Sequence, residues 1–145
     1  MTGLPITIQV RTTIRDGKRS ERHSMDAIGE LFVKGEFLML KFQEPREEQE
    51  TESTNQTIQL RDGRMTVQRK GAVTMNQRFV EGTKTEGMYN SIYGPMHMET
   101  DTKKVSYNWN EDDQAGDITL TYDLVLSGSQ TGRYHMKVTF KEETS

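Results

Sequence analysis

Cysteine is absent from the 145 residues. That excludes disulfides, thiol nucleophiles, Cys-ligated zinc and iron–sulfur clusters. Proline is scarce, with three residues at positions 5, 45 and 95. Each lies at the edge of an apolar run or in a turn, where proline least disturbs a β-ladder. No apolar run approaches the roughly 18 residues that read as a membrane helix. An excess of one charge is lacking too: 19 Lys and Arg face 22 Asp and Glu, a net charge of −3. Such a balance disfavours a broad nucleic-acid footprint and a polybasic membrane arm. Met1 to Val10 lacks a basic segment followed by an apolar one, so no secretory leader is expected.

Apolar residues are few, at 32%, and the mean hydropathy is −0.83. Both values lean towards disorder. Their spacing points the other way. Ile6, Ile8, Val10 and Ile14 share one parity, with Thr12 filling the gap. Met25, Ala27, Leu31 and Val33 share another across Gly29, and Leu38, Leu40 and Phe42 follow. Ile118, Leu120, Tyr122, Leu124 and Leu126 form the cleanest series, and Tyr134, Met136, Val138 and Phe140 the last. Period two is the pattern of strands with one buried face, and such strands look polar on average while still building a core. A helical reading of Ser24 to Phe32 is weaker, because Gly29 interrupts it and Val33 continues the alternation.

Turn signals separate the runs: Asp16-Gly17, Lys34-Gly35, Asp62-Gly63, Lys70-Gly71, Glu81-Gly82, Gly94-Pro95, Ala115-Gly116 and the Ser127 to Gly132 stretch. Asp-Gly suits a two-residue hairpin turn, where both central residues need positive φ. The expected fold is all-β: one domain over residues 1–145, in which about ten strands at short, regular spacing suggest an antiparallel barrel or a sandwich of hairpins. The run Glu44 to Glu52, with five Glu and one Arg, reads as a solvated loop between hairpins. Lys141 to Ser145 reads as a frayed tail.

Chemistry-bearing patterns are sparse. His23, His97 and His135 show no close metal-ligand spacing. Met96 and Met98 share a strand face and would suit Cu(I), but thioethers more often fill a core. Asn108 to Asp117 resembles a calcium loop only faintly, because Asp113 stands where the EF-hand needs glycine. There is no Gly-x-Ser-x-Gly, Walker loop or dinucleotide fingerprint. No metal, cofactor or catalytic residue is therefore assigned, and no enzyme activity is expected.

One residue stands out. Gln77 shares the parity of Val73, Met75 and Phe79 and should point into the barrel with them. A polar group there needs a partner, either a neighbouring strand or a ligand that it orients. The candidate lining is Met75, Gln77, Phe79, Tyr107, Leu120, Tyr122 and Tyr134, with Arg78 near the mouth. The leading expectation is a barrel whose lumen takes a small apolar or amphipathic molecule, with no nucleic acid or membrane as partner. The alternative is a barrel filled solid, acting as a protein-interaction module or homo-oligomer. An unrecognised small-molecule enzyme comes third.

The segment Gly71-Ala-Val-Thr-Met-Asn-Gln-Arg-Phe-Val-Glu-Gly82 resembles the YwiB-like family of bacterial proteins. Tyr93-Gly94 followed by Met96-His-Met-Glu-Thr100-Asp-Thr102 is similar to that family's strand after the central turn, and Gly116-Asp-Ile-Thr-Leu-Thr-Tyr122 to its penultimate strand. Pro5-Ile-Thr-Ile-Gln-Val is similar to its first. The resemblance covers nearly the whole chain. It implies a closed antiparallel up-and-down barrel of about eight to ten strands, calycin-like and lipocalin-type, in a cytoplasmic protein, and it supplies no catalytic residues.

Overall fold

In the computed structural model, which describes residues 3–46 and 52–143, every regular element is a strand. The ten are β1 Leu4–Asp16, β2 Arg19–Lys34, β3 Phe37–Gln43, β4 Asn55–Arg61, β5 Arg64–Lys70, β6 Thr74–Phe79, β7 Lys84–Ser91, β8 Gly94–Asn110, β9 Ala115–Leu126 and β10 Ser129–Glu142. Each pairs antiparallel with the next, and β1 also pairs with β10, opposite Glu142 at Ile6 and opposite Arg133 at Arg15. The barrel is therefore closed and up-and-down. Ser24 to Phe32 lies wholly within β2, as the period-two reading requires. No helix among the described residues is long and apolar enough to cross a membrane.

The inward positions are the ones alternation selects. Ile6, Ile8, Leu40, Ile58, Leu60, Phe79, Ile118, Leu120, Val138 and Phe140 are all at most 1% exposed and belong to one continuous core. Side chains, not an open channel, occupy the centre of the barrel. One end is plugged by Trp109, stacked on Phe140 with ring centroids 6.0 Å apart.

Turn chemistry accounts for several hairpins. Asp62 and Gly63 have φ of 53° and 74°, and Ser127 and Gly128 have 49° and 82°. Positive φ at both central residues matches the right-handed twist of the flanking strands. Four turn or tail expectations need correction. Of the Ser127 to Gly132 stretch only Ser127-Gly128 turns, and Ser129 opens β10. Ala115-Gly116 opens β9, and a Cβ on Gly116 would lie 2.7 Å from Phe140 Cζ, so that glycine serves the aromatic plug. The turn before β8 is Ile92-Tyr93, and Gly94-Pro95 starts the strand. Lys141 and Glu142 pair as part of β10, and the Glu143 N–H donates to the Pro5 carbonyl, so the chain stays docked to that point. Residues 144–145 of the expected tail lie outside the described residues.

A β-bulge at Lys103 reconciles two parities on β8. Thr102 pairs with Tyr122, but Lys104 already pairs with Thr121. Even-numbered residues up to Thr102 face inward, and odd-numbered Val105, Tyr107 and Trp109 share the inward parity beyond it. An extra residue on one strand produces this switch.

Candidate functional site

The short strand β6 creates the most unusual region of the interior. It pairs with β7 only at Thr74, Met75 and Asn76, then diverges. Gly87 of β7 permits the crossing: a Cβ there would lie 2.3 Å from the Asn76 carbonyl oxygen. Beyond this point the Thr85 hydroxyl replaces the ladder, donating to the Arg78 carbonyl at 2.5 Å. Freed from β7, Gln77 reaches β8, where its Nε2 donates to Thr100 Oγ1 at 3.0 Å. Gln77, Thr100 and Thr102 are 6%, 2% and 0% exposed. The inward direction of Gln77 and its partner on a neighbouring strand thus agree with the parity argument.

Aromatic residues flank this polar group. Phe79 meets Tyr122 edge to face at 4.9 Å, and Tyr122 stacks on Tyr134 at 4.9 Å and 14°. Tyr134 OH lies 3.2 Å from Thr131 Oγ1. Burial pushes the Tyr122 hydroxyl well above its ordinary pKa, with a smaller push from Tyr134. It stays a neutral phenol. Thr102 Oγ1 is buried without a hydrogen-bond partner among the described residues. Leaving a buried hydroxyl unpaired costs about 1–3 kcal/mol.

These residues lie along one line of the sheet. Thr102 pairs with Tyr122, Tyr122 with Tyr134, Tyr134 with Ile14, and Ile14 with Glu21. Paired residues point to the same face, so the row runs from the barrel rim to its buried centre. At the rim it opens into a cavity of about 230 Å³ lined by Ile14, Asp16, Arg19, Glu21, Thr131 and Tyr134.

A second polar cluster lies on the opposite wall. Arg69 of β5 forms a two-pronged ion pair with Glu44, both contacts at 2.7 Å, and Gln56 Nε2 donates to Glu44 at 2.8 Å. The Glu44 side chain is only 11% exposed. Burial works against the Arg69 charge, but Glu44 outweighs it and, with help from Tyr89, holds the guanidinium above its ordinary pKa. This corrects the solvated-loop reading at Glu44, which is an anchor for the loop leaving β3. Residues 47–51 of that run lie outside the described residues.

The expected lining residues divide into two groups. Gln77, Phe79, Leu120, Tyr122 and Tyr134 meet in the interior, and Met75 is half-buried near its rim, opposite Arg69 and Tyr89. Arg78 is not near a lumen. It is exposed on the outer wall, in a groove with Arg64, Lys84, Glu86 and Glu99, because no bulge in β6 reverses its parity. Tyr107 is 41% exposed where β8 has outrun β7, remote from the polar row. Sequence reasoning missed Thr100, Thr102 and the Glu44–Gln56–Arg69 cluster. The threonines were detectable, since they continue the parity of Met96 and Met98. Among the described residues no three His, Asp or Glu side chains converge as a metal site would require.

Known proteins share this architecture. The barrel matches the crystal structure of the ywiB protein from Bacillus subtilis with a TM-score of 0.83 and 29% identity, covering 98% of this chain and 94% of that one. The curated relative named uncharacterized beta-barrel protein YwiB, from Bacillus subtilis (strain 168), is 29% identical over 140 residues, 97% of this chain and 95% of its own length. The family model described as "Domain of unknown function (DUF1934)" matches residues 8–138. That stretch takes in residues of every strand from β1 to β10, and the chain therefore belongs to the DUF1934 family.

Proposed function

We propose that this protein is a binding protein for a small amphipathic molecule, which enters at the rim beside Tyr134. The observation that carries the reading is the continuous inward row from the rim cavity to Thr102. It links a solvent-reachable site with a buried polar group whose hydroxyl has a hydrogen bond to spare. Buried polar atoms without partners are rare in folded proteins and mark places that a ligand or water completes. The rim cavity is smaller than the roughly 300–1,000 Å³ of drug-sized sites, so it suits a compact ring or short chain. Two carboxylates and one guanidinium at the rim favour a ligand whose polar end is rich in donors. Movement of the stacked Tyr134 and Tyr122 rings would extend the site towards Gln77, Thr100 and Thr102.

Binding fits the interior better than catalysis. Among the described residues its fully buried polar side chains, Thr54, Gln77, Thr100 and Thr102, are all uncharged, and the largely buried Glu44 and Arg69 neutralise each other. General acid–base work needs a group that exchanges a proton near working pH, and the raised pKa of Tyr122 takes that phenol further from the range. The cytoplasmic location implied by the family resemblance is part of the same proposal.

Native mass spectrometry of protein taken directly from cells tests the reading. The expected spectrum shows the 16.7 kDa chain together with a species heavier by one small molecule. Tyr134→Ala and Gln77→Leu should lower the fraction of that species, and Arg78→Ala, on the outer wall, should not. Only the bare chain in every sample, or equal occupancy in all variants, overturns the proposal.

A further inference from the structure

The far half of β8 is an unpaired sheet edge. β7 pairs with β8 only over Gly94 to Asp101, and the Thr83 and Gly82 backbone continues as far as Thr102. From Lys103 to Asn110 the strand has β9 on one side and, among the described residues, no backbone partner on the other. Natural proteins rarely leave a long edge bare, because its free N–H and C=O groups template pairing with another strand. The inward face of this segment is apolar, with Val105, the 41% exposed Tyr107, and Trp109. Val33, 40% exposed, adds to the same end of the barrel, sharing a cavity with Trp109.

The geometry points to a second copy of this chain as the occupant of that edge: we propose a two-fold dimer in which Lys103 to Asn110 pairs antiparallel with itself. The segment is self-complementary in that arrangement. Centring the pair on Tyr107 sets Val105 of each copy against Trp109 of the other and brings the two Tyr107 rings together on the axis. Aromatic and β-branched cross-strand pairs of this kind stabilise antiparallel ladders. Charge also matches. Lys104 comes opposite Asn110 and beside Glu111 and Asp112 of the partner copy, so the basic end of one edge meets the acidic turn of the other. Edge lysines usually discourage strand pairing, but here they lie at the end of the segment and face carboxylates. The bulge at Lys103 ends the pairing by turning the strand away. A self-complementary patch is used up when two copies pair, so this edge builds a dimer and no larger assembly.

Sedimentation velocity over a range of protein concentrations tests this. The wild type should sediment as a dimer at high concentration and dissociate on dilution. Tyr107→Arg places two like charges on the axis, and Lys104→Glu sets a carboxylate beside Glu111 and Asp112. Each should raise the dissociation constant by at least about tenfold, as lost charge and core complementarity do at interfaces. Both side chains are exposed, and thermal unfolding of the variants should match the wild type. Adding Glu111→Lys to Lys104→Glu should restore dimerisation. A monomer at every concentration, or a dimer untouched by Tyr107→Arg and by Lys104→Glu, overturns the proposal. An edge that captures only foreign extended peptides appears as the monomer outcome. Dimer strength and small-molecule occupancy are read separately, so either proposal can fail alone.

Discussion

The two walls of the barrel are built to different standards. The wall of β8, β9, β10, β1 and β2 uses strands of 17, 12, 14, 13 and 16 residues. The wall of β3 to β7 uses strands of 7, 7, 7, 6 and 8. Long strands tolerate a bulge and still hold register, so the long wall tolerates the unmatched stretch of β8. Short strands leave fewer ladder bonds at each joint, and the side-chain ties of the short wall include buried or half-buried ones, Glu44 to Arg69 and Gln56 and Gln77 to Thr100, where a charged tie of the long wall, Arg133 to Asp123, is exposed. The interior polar group forms where the weakest joint of the short wall, β6 with β7, lies against β8 of the long wall. The lesson is that the polar site is a consequence of how the barrel closes, not an insertion into a finished core.

If stability resides in the long wall, Phe140→Ala should be the most damaging single change. Its ring is 1% exposed and stacks on Trp109, and large-to-small changes at such aromatics cost about 3–5 kcal/mol. Leu60→Ala, equally buried in the short wall, should cost nearer 2 kcal/mol, at the low end of the Leu→Ala range, because a loosely tied wall can relax into the cavity. Urea unfolding of both variants measures the difference. A larger loss at Leu60 would reverse the ranking of the two walls.

The side-chain ties of the short wall are tested by Arg69→Met. It leaves Glu44 largely buried without its counter-charge. Breaking a fully buried pair costs roughly 3–5 kcal/mol; with Arg69 23% and Glu44 11% exposed, about 2 kcal/mol is expected. The double variant Glu44→Leu, Arg69→Met should recover most of that loss, since replacing both charges removes the stranded one. Urea midpoints for the two single variants and the double variant complete the cycle. No recovery in the double variant would mean that the pair anchors the β3–β4 connection by geometry and not by charge balance.

What could be read from the residues follows the same division. The long wall was legible almost position by position, because Ile118 to Leu126 and Tyr134 to Phe140 alternate without interruption. Even the bulge left a trace, in the change from even Met96 and Met98 to odd Val105, Tyr107 and Trp109. In the short wall, Gln77 was legible as an inward polar residue, but its partner was not. That partner depends on β6 leaving β7, which turns on a close approach at Gly87 that period-two spacing does not encode. Glu44 and Arg69 are 25 residues apart, and an acidic run gives no local sign that its first member will be drawn inward. Arg78 and Tyr107 were misplaced for opposite reasons. Arg78 follows the parity of β6 strictly and so faces out. Tyr107 keeps inward parity but lies beyond the end of the neighbouring strand.

The polar row itself makes the subtlest prediction, at alkaline pH. Burial holds the Tyr122 phenol protonated in the folded barrel, so its pKa is raised there. In the unfolded chain the same phenol ionises near pH 10. Above that pH the unfolded state releases a proton that the folded state retains, and stability falls as pH rises. The contribution of Tyr122 is therefore complete below about pH 10 and declines as pH climbs from there towards the folded-state value. Tyr122→Phe keeps the ring contacts with Phe79 and Tyr134 but removes the proton. Its melting temperature should match the wild type closely near neutrality and fall less steeply above pH 10. Identical alkaline slopes in the two proteins would show that the phenol is hydrated in the folded state, and the row from the rim to Thr102 would then be a wet channel and not a sealed one.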